Sequence, residues 1–261
     1  MDELSWGASS DARNPIKSSL AFVGEVASLF LSTVRSVLTG KIEFKETIRQ
    51  MAFIGVASIP IVAITAAFSG AVLALYSATL LVKYGVGSLA GGAVGLSVAR
   101  EIAPVLTSIM VSARCGSAIA AHIASMKVTE QIDALRALAV SPISYLVVPR
   151  TLAALIMVPA LCTVANFSGI FGGAIVAGAI GVSYYSYFES LRATMETFDI
   201  TGGLIKAAVF ALIVALVGCQ QGLGASGGAA GVGRATTRAV VISLSLIYIV
   251  NYFLADALFN R

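Results

Sequence analysis

Charge is what this chain of 261 residues has least of: 11% of it is Asp, Glu, Lys or Arg, against 58% hydrophobic. A soluble domain carries about 25% charged residues, so too little polar surface is present here to cover a water-facing exterior. The same deficit excludes a disordered chain, a collagen-like repeat and a nucleic-acid-binding surface. Histidine is nearly absent. His122 is the single copy, which rules out a multi-histidine metal site and leaves a histidine-based triad without support. Cys115, Cys162 and Cys219 stand in apolar stretches at unrelated spacings, offering neither a disulfide framework nor a metal-ligand pattern. The first fifteen residues are polar and mildly acidic, through Asp2, Glu3 and Asp11, and lack the basic-then-apolar order of a cleaved signal peptide. The expectation is an integral membrane chain in its mature form.

What the chain does have is uncharged length. Crossing a hydrocarbon core takes about 20 apolar residues, and the uncharged runs predict spans at about 50–82, 84–113, 150–182, 204–222 and 238–257. The second of these continues through Arg100 and Glu101. The runs show no polar–apolar alternation, so they predict helices rather than barrel strands. Ahead of them, Ile16, Leu20, Val23, Ala27, Phe30, Val34 and Val37 recur at steps of four and three, with Lys17, Glu25, Ser32 and Arg35 on the opposite face. That pattern predicts an amphipathic helix over 16–38 lying on the membrane, because crossing would place Glu25 near the bilayer centre at a cost of about 3 kcal/mol or more. The expected fold is therefore all-α and membrane-integral. It has a polar tail over 1–15, an interfacial helix over 16–38 and five transmembrane helices in 39–261, with a short cytoplasmic helix between the second and third.

This topology puts the N-terminus and most Lys and Arg on one side, including Arg13, Lys17, Lys41, Arg114, Arg150 and Arg238. Lys83, Arg192, Lys206 and Arg261 remain on the other, as the positive-inside rule requires. A hairpin near Asn166–Gly169, splitting the third span, satisfies the rule too, so charge alone leaves the topology open. Gly87, Gly91, Gly95, Ala99 and Ala103 form one small-residue ridge and Gly169, Gly173, Ala177 and Gly181 another. Such ridges let helix backbones approach closely within a bundle or a dimer.

Little points to chemistry in the chain itself. Gly222–Gly227 matches a dinucleotide-binding spacing without the strand–helix context. Gly228–Gly233, followed by Arg234 and Ala235, imitates a phosphate loop but lacks its Lys and Ser/Thr, so no ATP site is expected and the glycine-rich stretch reads as a tight cytoplasmic loop. No catalytic residue or metal ligand stands out. Arg100 and Glu101 are the exception to a charge-free interior. Neighbouring helical positions point about 100° apart, so each needs its own partner. Arg114, fourteen residues beyond Arg100 and about 21 Å along a helix, falls near the same face. Intramembrane charge is a functional-site hypothesis, with structural pairing as the alternative. Past that helix, Lys127–Arg136 is a charged island closed by Ser141-Pro142. Thr129 is placed to cap a helix over 130–138, whose Ile132, Leu135 and Leu138 form an apolar stripe suited to a groove on a soluble partner.

Read in order, Arg100–Val105 (REIAPV), Ala113–Ala118 (ARCGSA), Met126–Leu135 (MKVTEQIDAL), Val148–Arg150 (VPR) and Gly227–Val240 (GGAAGVGRATTRAV) resemble the MlaE/YrbE family. These are permease subunits of phospholipid-moving ABC transporters that work with MCE-domain proteins, and they are related to the plastid trigalactosyldiacylglycerol transporter permease. Similarity extends from about Gly40 to about Phe253. The resemblance implies a homodimer in the bacterial inner membrane, N-terminus cytoplasmic, with a plastid envelope the less favoured site. It implies a cytoplasmic ATPase that supplies ATP and Mg²⁺ chemistry, an MCE-domain lipid-binding partner, and phospholipid as substrate. Arg100 and Glu101 would border the lipid cavity together with Leu75 and Tyr76. Glu130, Gln131, Ile132, Asp133, Ala134 and Leu135 would form the ATPase-coupling helix, and Arg114, Gly116, Ser117, Gly231, Gly233, Thr236 and Thr237 complete the motifs. One position departs. Where the family has Glu in a run like Ala-Ala-Glu-Ile, this chain has His122, and any role of that carboxylate is in question. Two other classes stay open, an ion-coupled secondary transporter and a non-transporting membrane scaffold.

Overall fold

The computed structural model describes residues 15–40 and 43–259, with side chains from Leu20 onward. Residues 1–14 of the expected tail over 1–15, and the charges Arg13, Lys41 and Arg261, lie outside the described residues. Every regular element among the described residues is helical: α1 (Pro15–Leu38), α2 (Phe44–Ile54), α3 (Ile59–Lys83), α4 (Ala90–Ser97), α5 (Ala103–Val111), α6 (Ser117–Val128), α7 (Gln131–Ala137), α8 (Val148–Ala179), α9 (Tyr184–Thr194), α10 (Thr197–Leu223) and α11 (Gly228–Phe259). Among the described residues, six helical runs are long and apolar enough to cross a membrane. The chain is an all-α membrane protein.

The helices depart from the uncharged runs at informative places. The stretch read as a span over 50–82 is broken: α2 stops at Ile54, a 3₁₀ turn covers Val56–Ser58, and α3 begins with Pro60 in its first turn. There the missing N–H and fixed φ of proline are tolerated. The helix of the second span continues past residue 113. α4, α5 and α6 form a continuous run over Gly87–Val128 of 42 residues, about 63 Å against the roughly 30 Å of hydrocarbon. Two π turns, Val98–Ile102 and Ser112–Gly116, join its parts. Each holds one residue more than an α turn, so the count of whole turns from Arg100 to Arg114 fails, because it assumed 3.6 residues per turn throughout. α8 runs unbroken through Asn166–Gly169, which removes the hairpin. The glycine-rich loop is shorter than read: α10 reaches Leu223 and α11 starts at Gly228.

The chain divides into two compact units, each drawn from three segments. Unit 1 takes the chain up to Ile54, Val111–Leu155 and Ala211–Leu246. Its core joins Leu29 of α1, Ile119 and Ile123 of α6, Ile132 of α7, Leu146 and Val147 before α8, and Leu216, Cys219 and Leu223 of α10. Glu25 of α1 accepts from Gln220 at 2.6 Å, and Ser36 meets Ser144 at 2.8 Å.

Unit 2 takes Gly55–Met110, Ile156–Phe210 and the chain from Ile247. Its helices are held by the small-residue ridges. A Cβ on Gly70 would land on the Gly169 backbone, one on Gly172 on the Ala67 backbone, and one on Gly203 on the Ala99 carbonyl. α9 lies against α4 the same way: Gly91 abuts the Tyr187 backbone, and Gly92 N–H donates to Ser190 Oγ at 2.9 Å. In lipid, where apolar side chains gain little by leaving their solvent, this backbone proximity supplies the packing energy.

Candidate functional site

Within unit 2, four charges that the sequence scatters over two helices close on one another. Arg100 and Glu101 sit in the π turn Val98–Ile102. Arg100 Nε and Nη2 both reach Asp199 Oδ1, at 2.7 and 2.6 Å, while Asp199 Oδ2 accepts the Glu196 N–H at 2.8 Å. Lys206, fully buried, donates to Glu101 Oε1 at 2.7 Å and to the Arg100 carbonyl at 2.9 Å. A π turn opens the backbone ladder to such a side-chain donor. Asn251 of α11 donates to Glu101 Oε2 at 2.9 Å, and the Phe259 ring lies 4.9 Å from the Arg100 guanidinium. Two cations meet two anions, so the cluster is neutral overall and each charge has a partner at hydrogen-bond distance. That is the condition under which charge is tolerated in a low dielectric.

Arg100 and Glu101 thus have different partners. Their side chains keep 37% and 41% of their exposure, whereas Asp199 keeps 2%. Leu75 and Tyr76 lie on an exposed face of α3, which packs beside the π turn. Lys206, counted from the sequence among the outer-side charges, is a buried member of α10. Asp199 and Asn251 were likewise passed over. The available signal was spacing, because Asp199 and Lys206 are seven residues apart and so share a helix face, opposite in sign to Arg100 and Glu101.

In unit 1, the charged island forms α7, slightly shorter than the 130–138 reading. Thr129 does not cap it: its hydroxyl donates back to the Ser125 carbonyl at 2.8 Å, and Glu130 makes the entry in the left-handed region at φ 59°. The apolar stripe is mostly used at home. Ile132 is buried and Leu135 packs on the unit 1 core, while Leu138 is exposed. Glu130, Gln131, Asp133 and Ala134 face outward, with Asp133 bridged to Lys127 at 3.4 Å and Arg136 at 3.1 Å.

The family model for permease MlaE matches residues 47–257. The chain belongs to the MlaE permease family. It is 42% identical over 240 residues to a probable ABC transporter permease protein of Rickettsia felis, covering 91% of this chain and 92% of that one. To a probable ABC transporter permease protein of Synechocystis it is 40% identical over 245 residues, 93% of each chain. To the chloroplastic protein trigalactosyldiacylglycerol 1 of Arabidopsis thaliana it is 35% identical over 228 residues, 87% of this chain and 65% of that one.

The remaining MlaE motif residues do packing work in unit 1. Arg114 Nη1 donates to the Phe53 carbonyl at 3.0 Å, with its guanidinium 5.0 Å from that ring. Gly116 lets α10 approach, since a Cβ there would meet Val214 Cγ1 at 3.1 Å, and Ser117 donates back to Ala113 O. Gly231 has no room for a side chain against Ser226, whose carbonyl also accepts from Arg234. Gly233 is open, and Thr236 and Thr237 bond within α11, to Val232 O and Gly233 O. His122 Nδ1 lies 3.0 Å from Arg150 Nη2.

Proposed function

We propose that the chain is the transmembrane subunit of an ABC transporter that moves phospholipid, or a related glycerolipid, between membranes. The observation that carries this reading is α7. Buried Ile132 and partly buried Leu135 fix it to the unit 1 core, and it turns Gln131, Asp133 and Ala134 outward, a polar face suited to a groove on a cytoplasmic ATPase. ATP binding and hydrolysis fall to that partner; the permease contributes no catalytic residue, metal or cofactor. Motion of the ATPase dimer passes through α7 into the unit 1 core. Two copies of the chain enclose the lipid, with Arg100, Glu101, Leu75 and Tyr76 along the cavity wall. An MCE-domain protein receives lipid on the far side of a bacterial inner membrane. An ion-coupled transporter fits less well, because Glu101 and Asp199 are both neutralised by cations and neither is left as an ion site.

The test is assembly. Glu130→Lys with Asp133→Lys removes co-purification of the ATPase from a complex expressed with its native partners. Ala134→Trp, which leaves the Lys127–Asp133–Arg136 bridges untouched, does the same by bulk. Unchanged assembly and lipid movement in both variants would sink the coupling role.

A further inference from the structure

We propose that a cleft in unit 1, between α2 and the facing stretches of α6 and α8, binds the phosphodiester group of a membrane phospholipid. The cleft encloses about 320 Å³ and is lined by Glu46, Arg49, Gln50 and Phe53 of α2, His122 of α6 and Arg150 of α8. That volume is at the small end of ligand pockets. It takes a headgroup and leaves two acyl chains outside.

Its polar groups are arranged for an anion. Arg150 is buried, and it donates to the Leu146 carbonyl at 2.6 Å and toward His122 Nδ1 at 3.0 Å. Those bonds engage two of the five N–H donors of a guanidinium. Because Arg150 only donates, His122 Nδ1 must accept, which puts the ring proton on Nε2 and makes this residue a donor as well. Gln50 donates to Glu46 at 2.7 Å, and Arg49 stands 3.8 Å from the same carboxylate.

Glu46 decides which anion. Two guanidinium groups and one carboxylate give the lining a net charge of +1, matching the single charge of a phosphodiester. Inorganic phosphate and phosphomonoesters carry about −1.5 to −2 near neutral pH and are left undercompensated beside a carboxylate. The Phe53 ring supplies an apolar wall, and α6 and α8 belong to the membrane-length runs Gly87–Val128 and Ile143–Ala179. A lipid seated here can therefore lay its chains along apolar helix, which a free anion has no use for. The cleft is separate from the Arg100 cluster, and occupancy here is measured independently of lipid movement.

The experiment uses the full chain in vesicles containing trace phosphatidylglycerol with a photoactivatable diazirine near the glycerol backbone, labelled peptides being mapped by mass spectrometry. Peptides from α2 and α6 label in the unmodified protein. Arg49→Gln lowers that labelling about fivefold, the weight of one surface cation toward an anionic lipid, while labelling of α3 peptides stays constant and reports intact folding. Glu46→Gln shifts labelling toward photoactivatable phosphatidic acid. The matching diacylglycerol does not label α2 or α6, and inorganic phosphate does not compete. Equal labelling by diacylglycerol would make the cleft a plain apolar groove. Effective competition by phosphate would make it a free-anion site. Absence of α2 and α6 labelling, or labelling indifferent to both variants, would overturn the proposal outright.

Discussion

At the scale of single residues, the informative fact is that Lys206 is more buried than the acid it serves: 0% of its side chain is exposed, against 41% for Glu101. A lysine without a counter-charge does not survive such a site, so the pair is held together by the cost of separating it. Lys206→Met leaves Glu101 with Asn251 alone, and the expected loss is about 3 kcal/mol, the low end for breaking a buried pair because Glu101 is partly open. Thermal unfolding of the detergent-solubilised chain reads it. Glu101→Gln with Lys206→Met removes both charges and recovers most of the loss; a double variant no better than the single one would show that the pair is not the unit of stability. Arg100 and Glu101 were legible in the sequence as charges out of place. Their partners were not. Asp199 lies in the first turn of α10, ahead of the span read over 204–222, and Lys206 falls near the start of that span, counted with the outer charges. Only the three-dimensional return of α10 past the π turn makes them interior.

At the scale of elements, the small-residue ridges were readable because backbone approach requires residues without side chains, whatever the partner. Which helices they join was not readable, since small-xxx-small spacing names no partner. The structure pairs α3 with α8 and α4 with α9. Gly91→Ala would drive a Cβ into the Tyr187 backbone, and overpacking of this kind costs about 1–3 kcal/mol. Gly24→Ala in α1, where nothing lies within 4 Å, is neutral or stabilising by up to about 1 kcal/mol from helix propensity. Paired unfolding measurements on the two variants separate packing from propensity, and equal effects would remove the ridge from the account. The π turns had no sequence signal at all. Local propensity is the same for α and π geometry, and what selects the wider turn is a tertiary partner: at Arg100, the Lys206 ammonium bonding into the opened backbone.

At the scale of the whole molecule, the open quantity is how many times the chain crosses. Length and apolarity allow α1 to cross; its contacts argue that it lies along the surface. Glu25 bonds Gln220, three residues before the end of α10, and Leu29 packs with Ile132 of α7 and Leu146. Ser36 bonds Ser144, in the turn that opens α8. From Glu25 to Ser36 the axis rises about 16 Å. A crossing helix would meet its neighbours at levels that far apart, whereas all three contacts fall where spans end beside α7. Charge agrees: among the described side chains, Arg35, Lys45, Arg49, Arg114, Lys127, Arg136, Arg150, Arg234 and Arg238 belong to unit 1, and Lys83, Arg100, Arg192 and Lys206 to unit 2. With positive charge retained inside, the expected topology has α1 and α7 on the cytoplasmic face, five crossing helices, and α1 and the end of α11 on opposite sides. Reporter fusions check this directly: a fluorescent protein that matures only inside should light at the N-terminus and stay dark at the C-terminus, and alkaline phosphatase should show the reverse. Both ends reporting the same side would make α1 a sixth span.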